Sequence, residues 1–269
     1  MKYYYNSIKP VMLAYQVVTQ HSTSRIRILQ ITAPVVFGGA ERVLLNIGRL
    51  IDKSRFTISY CVFLNPNRKQ NELYGTLTDI DRDVSVIRMF RKVNINVFDL
   101  VRIIRKTHPH ILHTHGYRPD IVGLIASRIT HTPIVSTVHG WTRTSRKVRV
   151  YEYIQRKIMR YVDAVIPVSK QINNDLITEK VMPSRMFRIN NIIDYETCSM
   201  DPVINLRKEY NIGMKCPVVG TIGRLSLEKG HIHLLKAVPL LWKSYPDIKV
   251  VIVGTGDQEA GLKEYVRMN

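Results

Sequence analysis

Cysteine is scarce in this chain: Cys61, Cys198 and Cys216 are the only three among 269 residues. An odd number at wide spacing excludes a disulfide framework and a thiolate metal quartet, and it fits a reducing compartment, the cytoplasm. Long apolar runs are missing too, none approaching the ~18 residues of a membrane-spanning helix. Within the polar-aromatic stretch 1–24, the run Val11-Met12-Leu13-Ala14 is too brief for a signal h-region, so 1–24 reads as an N-terminal extension. Acidic side chains are the third shortage, 21 Asp and Glu against 40 Lys and Arg, for a formal net charge of +19. That excess favours phosphate-bearing partners: nucleic acid, an anionic membrane surface or phosphorylated small molecules. It also fits a merely basic, solvated surface. Trp141, Tyr151 and Tyr153 lie among cations, but no reader motif organises them, so no nucleic-acid partner is expected.

What is present is an alternation of apolar runs and amphipathic segments. Segments 25–32, 57–64, 110–115, 133–138 and 164–168 read as strands, and 187–193 as a further one. Segments 41–51, 97–106, 120–129, 148–161 and a stretch N-capped by Ser169 read as helices. Residues 25–194 thus predict an α/β, Rossmann-like domain with a parallel sheet and helices on both faces. Residues 195–215, with Pro202 and mixed charge, read as an interdomain linker carrying a short helix near 206–210. A second alternation occupies 216–269: strand 217–222, a helix from His231 that Pro239 kinks or ends, strand 248–253 and helix 258–266. About 55 residues cannot close a doubly wound domain alone, so this second domain is expected to be incomplete.

Four clusters could carry chemistry. Gly38-Gly39-Ala40-Glu41 stands between the first strand and helix, where glycine permits close backbone approach and positive φ and helix amides face an anion; it also fits a plain turn. His113 and His115 share one face at a strand end, and His139-Gly140 closes another strand. A three-histidine metal site is conceivable, but no acidic or thiol partner accompanies the set, so no metal is expected. His139 is the better single catalytic candidate, against a structural, hydrogen-bonded role. Arg224 and Lys229-Gly230 flank a strand-to-helix turn, and a second glycine turn follows at Gly254-Thr255-Gly256. The two cations could neutralise a departing pyrophosphate or be simple surface charge. The helix 148–161 aligns Arg149, Tyr153, Arg156 and Arg160 on one side and Val150, Ile154 and Ile158 on another. With Arg143, Arg146, Lys147 and Lys157 it makes a basic amphipathic surface for an anionic bilayer, unless the apolar side packs on the sheet.

Taken in order, these pieces resemble the family 4 retaining glycosyltransferases of the GT-B fold, from about Ile26 to Val266. The resemblance rests on Gly38-Gly39-Ala40-Glu41-Arg42, His113-Thr114-His115-Gly116, Thr137-Val138-His139-Gly140, Ala164 to Ser169, Gly223-Arg224 through Glu228-Lys229-Gly230, and Val251 to Gly256. It implies two Rossmann-like domains across a cleft and sugar transfer with retention. The donor would be a nucleotide-sugar, a substrate rather than a cofactor, and the acceptor a glycan or lipid-linked molecule of the cell envelope. Carried over, His139 contacts the transferred sugar, Gly38 and Gly39 approach the donor phosphates, and Arg224 with Lys229 replaces a metal. The basic helix (Arg146, Lys147, Arg149, Arg156, Lys157, Arg160) resembles the region that seats some members on the cytoplasmic leaflet. Two departures stand out. Ile192 occupies a place where the family turns on glycine, which is strained if positive φ is required. A glutamate pair that holds the donor further along in the family is absent, so little transfer activity is expected of this chain unless a separate chain supplies the rest. A non-catalytic docking remnant of the acceptor domain is the alternative.

Overall fold

A computed structural model describes residues 25–34, 38–64, 75–77, 84–88, 93–141, 145–192 and 205–269. The N-terminal extension, Arg143 and linker residues 195–204 lie outside the described residues. The chain divides into two compact units, Met1–Tyr195 and Glu196–Asn269.

The first unit is built on a parallel sheet of β1 (Ile26–Thr32), β2 (Phe56–Leu64), β3 (Val84–Arg88), β4 (Ile111–His115), β5 (Ile134–Val138) and β6 (Ala164–Pro167), in the order β3-β2-β1-β4-β5-β6. Its described helices are α1 (Gly39–Leu50), α2 (Val93–Thr107), α3 (Tyr117–Thr130), α4 (Arg146–Ile158) and α5 (Lys170–Thr178). Along β2, Tyr60 and Val62 pack with Leu44 and Leu45 of α1, whereas Cys61 and Phe63 join Leu29, Ile31 and the α2 residues Val97, Leu100 and Ile104. Both faces of β2 are covered, which is why its sequence is nearly all apolar rather than alternating. Each such fully buried side chain contributes about 1.5–3 kcal/mol relative to exposure. The Ser169 hydroxyl accepts from the Ile172 amide at 3.2 Å, the N-cap that its position suggested.

The chain runs outward from β1 through β2 and β3, then returns to place β4 on the other side of β1. That reversal opens the carboxyl edge between β1 and β4, the place where open α/β sheets receive ligands.

Three local expectations differ from the structure. Strand β3 was not anticipated, its five residues following the charged Asp81-Arg82-Asp83. The described part of 187–193 is not a strand. Phe187 and Ile189 donate to the Val165 and Pro167 carbonyls, but only a single bridge, Val165 to Met186, forms, and Ile189 and Ile192 stay exposed. Ile192 does not take positive φ, so the expected steric penalty is not incurred.

In the second unit, α6 (Leu206–Glu209) precedes β7 (Val218–Ile222), α7 (His231–Trp242), β8 (Lys249–Val253) and α8 (Glu259–Met268). Strands β7 and β8 pair in parallel. Helix α7 runs on through Pro239 to Trp242.

Candidate active site

Residues Gln30, His113 and His115 lie in register on one face of the β1–β4 pair, because Gln30 pairs with His113 and side chains two apart share a face. His115 sits at the carboxyl end of β4, and His139 just beyond β5. Gly140 after His139 adopts φ 117°, a conformation that only glycine takes at little cost, and Gly116 after His115 adopts φ 93°. The three imidazoles come together. The rings of His113 and His115 are 4.4 Å apart by centroid, and those of His115 and His139 are 5.5 Å apart and stacked. Their nitrogens engage protein groups: His113 Nε2 meets Thr137 Oγ1 at 2.8 Å, His115 Nε2 meets Gln30 Oε1 at 2.7 Å, and His115 Nδ1 meets His139 Nε2 at 3.2 Å. Among the described residues no group of three or more such side chains converges as a metal site. Burial, reinforced by the neighbouring His139, pushes His113 down to about 4, and burial does the same to His139. His115 is held well below the ordinary imidazole range by burial and then by both neighbours. All three are therefore neutral near pH 7.

The opposite face of the same strands carries a buried carboxylate that the sequence did not flag. Asp120 of α3 accepts from the Thr114 and Ser136 hydroxyls at 2.5 and 2.7 Å and from Gln155 Nε2 at 2.5 Å. Burial raises it to about 6 against the pull of these three donors. Gln155 in turn accepts from the Trp141 indole at 3.0 Å, and Arg156 lies 4.0 Å over that ring. The sequence signal is slight: Thr114 and Ser136 pair across β4 and β5 on the face opposite His113 and His115.

Gly38 is the N-cap of α1, extended at φ −145°, and neither it nor Gly39 uses positive φ. The Glu41 carboxylate accepts from the Gly38 amide at 3.0 Å, so one amide of this helix start already faces an acid. Among the described residues a Cβ at Gly39 would meet no neighbouring atom within 4 Å, so they make no demand for glycine there.

In the second unit, the turns after β7 and β8 are zipped together. Gly223 donates to the Val253 carbonyl, Leu225 to Thr255 and Gln258 to Leu225, each at 2.9 Å. A Cβ on Gly254 would stand 1.9 Å from the Gly223 oxygen, and one on Gly256 2.2 Å from that of Leu225. Backbone thus occupies the space of a side chain, which explains both glycines. Arg224 does not project free: its Nη2 donates to Glu228 Oε1 at 2.6 Å. His231, buried at the start of α7, anchors the same turn through the Arg224 carbonyl at 3.1 Å. Lys229 ends the helical turn Leu227–Lys229 and is exposed, with no ion-pair partner among the described residues.

A family model described as Glycosyltransferase Family 4 matches residues 37–197, well over half of the chain, and one described as Glycosyl transferases group 1 matches 203–267. The chain belongs to Glycosyltransferase Family 4. A UDP-Gal:alpha-D-GlcNAc-diphosphoundecaprenol alpha-1,3-galactosyltransferase of Escherichia coli is 26% identical over 257 residues, which cover 89% of this chain and 65% of that protein. An uncharacterized glycosyltransferase of Haemophilus influenzae is 33% identical over 235 residues, covering 86% and 62%. Among solved structures, Anabaena HepE in complex with UDP-glucose superposes with a TM-score of 0.72 at 20% identity, covering 91% of this chain and 66% of its own. At that identity the likeness concerns the fold, GT-B. The chain thus spans between 62% and 66% of the length of each of these three.

Within this glycosyltransferase, the apolar side of helix α4 is split: Ile158 packs against the core, whereas the other members of that side face out. Val150, Tyr153 and Ile154 are 58%, 60% and 37% exposed, while Glu152 and Gln155 are 5% and 3% exposed. The inward side of α4 is polar because Asp120 waits beneath it for a donor. Of its cations, Arg146, Lys147 and Arg149 are exposed, but Arg156 and Lys157 are committed to Glu179 at 4.0 and 2.8 Å, and Arg160 Nε donates to the Lys157 carbonyl. The first turn of α4 holds no acid, so three cations stand at the positive end of the helix dipole, the reverse of the stabilising arrangement.

Proposed function

We propose that this chain serves a retaining glycosyltransferase that moves a sugar from a nucleotide-sugar donor onto a glycan or lipid-linked acceptor of the cell envelope. The observation that carries the reading is the gathering of His113, His115 and His139 at the β1–β4 opening in a chain of this family. His139, neutral and half-buried, would touch the transferred sugar. Arg224 and Lys229 would take the donor diphosphate and offset charge on the departing nucleotide, with no metal and no cofactor. An exposed ion pair such as Arg224–Glu228 contributes only about 0.2–1 kcal/mol. A bidentate, charge-assisted contact to phosphate is stronger, so the guanidinium can pass from glutamate to donor. Gly39, on which the described residues place no demand, would let backbone approach the phosphates. The E. coli relative's UDP-Gal and diphosphoundecaprenol, and the UDP-glucose bound to HepE, support a UDP-sugar donor and a lipid-linked acceptor.

Titration calorimetry with UDP tests the phosphate site, and transfer of radiolabel from UDP-galactose or UDP-glucose to a polyprenyl-diphosphate sugar tests the reaction. Arg224→Ala is expected to abolish UDP binding, and His139→Ala to spare UDP binding but remove transfer. UDP binding untouched by Arg224→Ala would sink the donor assignment.

A second reading, compatible with the first, is docking of α4 on the anionic cytoplasmic leaflet. It is favoured by the exposed Val150, Tyr153 and Ile154 beside Arg146, Lys147 and Arg149.

A further inference from the structure

We propose that Gln30 and His115 are positioning residues that fix the tautomer of His139, so that its Nδ1 meets a ligand as a hydrogen-bond acceptor. The argument follows the protons. Gln30 Oε1, a carbonyl oxygen, can only accept, so His115 Nε2, 2.7 Å away, carries the hydrogen. A neutral His115 then has a bare Nδ1, which can only accept from His139 Nε2 at 3.2 Å. His139 therefore donates through Nε2, and its Nδ1 keeps a lone pair that no described residue engages. A second proton on either ring is opposed by burial and, at His115, by the adjacent imidazoles, so the polarity of the relay holds near neutral pH.

Gln30 shows that the relay is built. The residue is 1% exposed, and its Nε2 is buried without a hydrogen-bond partner. An orphaned buried donor is unfavourable, and an aliphatic side chain would fill the same space without one. What the amide adds is its oxygen on His115. Turning the amide over would reverse every donor in the relay, so the tautomer of His139 reports directly on Gln30.

The chemistry selected is definite. A bare imidazole nitrogen accepts from a hydroxyl and has no proton to give, so His139 suits a ligand group that donates, such as a sugar hydroxyl, and disfavours a phosphate or carboxylate oxygen. Only this last step rests on His139 as the sugar contact; the relay does not.

Long-range proton–nitrogen NMR on the full chain with isotope-labelled histidine, near neutral pH, tests it. His115→Gln and His139→Gln variants assign the signals. Both rings are expected in the Nε2–H form; His139 found as Nδ1–H, or as a mixture, overturns the relay. Gln30→Glu, which offers only acceptors, should preserve both tautomers. Gln30→Met should release His139 into a mixture while His113 keeps its signals; an unshifted His139 there also overturns the proposal. Once the histidine signals are assigned, the tautomers of the unsubstituted protein decide the matter if a Gln30 variant fails to fold. Should the tautomers be as stated while His139→Gln transfers sugar normally, the relay stands and the sugar-contact reading falls.

Discussion

Single residues set opposing pH dependences in the first unit. His113 and His139, held at about 4 against an ordinary 6.5, stay unprotonated in the fold while the unfolded chain takes up protons between those values. Their contribution is therefore complete above 6.5 and is lost as pH falls through 4. Asp120, raised to about 6 from 3.8, works the other way: the fold holds a proton that the unfolded chain lacks, so its contribution declines as pH rises through 6. The histidines outnumber the aspartate, so the urea midpoint should drop between pH 7 and pH ~4.5. His139→Gln should make that drop shallower and Asp120→Asn steeper; the opposite ordering would refute the assignment. The histidines were legible in the sequence because each sits where an apolar run ends. Asp120 was not, since nothing in a helical aspartate marks it as buried until Thr114, Ser136 and Gln155 are seen around it.

At the scale of elements, two kinds of glycine separate. Gly256 is required by packing, so Gly256→Ala must push Leu225 aside and break the zipped turns, at a cost of about 1–3 kcal/mol typical of overpacking. Gly39→Ala meets nothing among the described residues and gains helix propensity, so stability should hold or rise by up to about 1 kcal/mol. If backbone there approaches the donor, the same substitution weakens UDP-sugar binding. Thermal melts beside calorimetry distinguish the two, and a Gly39→Ala protein that binds normally removes Gly39 from the site. The alternation of strand and helix was readable because parallel strands buried on both faces leave apolar runs, as in β2. Strand β3 and the stretch after Met186 were misread for a common reason: short segments carry too few residues to distinguish a covered face from an exposed one. In α4 the sequence left two faces open, because apolar and basic residues alternate along it, and the buried acid decides between them: Glu152 and Gln155 turn inward while Val150 and Ile154 face out.

For the whole molecule, a charge of +19 becomes directional only through where the free cations stand. Arg156 and Lys157 spend theirs on Glu179, which leaves Arg146, Lys147 and Arg149 at one end of α4. No helix among the described residues is long and apolar enough to cross a membrane. At roughly 1 kcal/mol for each basic side chain near an anionic surface, replacing those three with alanine should weaken vesicle binding by about a hundredfold. Arg156→Ala should matter less. Sedimentation with and without anionic lipid, at low and moderate salt, measures this; equal pelleting of the triple variant and the parent would eliminate the docking face.

An apolar stripe facing water would ordinarily roll under and bury itself. Helix α4 is prevented from doing so by the kind of contact beneath it. Greasy surfaces tolerate rotation, but the bonds from Gln155 to Asp120 and to the Trp141 indole have direction, and turning the helix by a single residue position would strand a buried carboxylate. The polar underside is a key in a slot. It holds Val150, Tyr153 and Ile154 outward as a standing feature of the folded state.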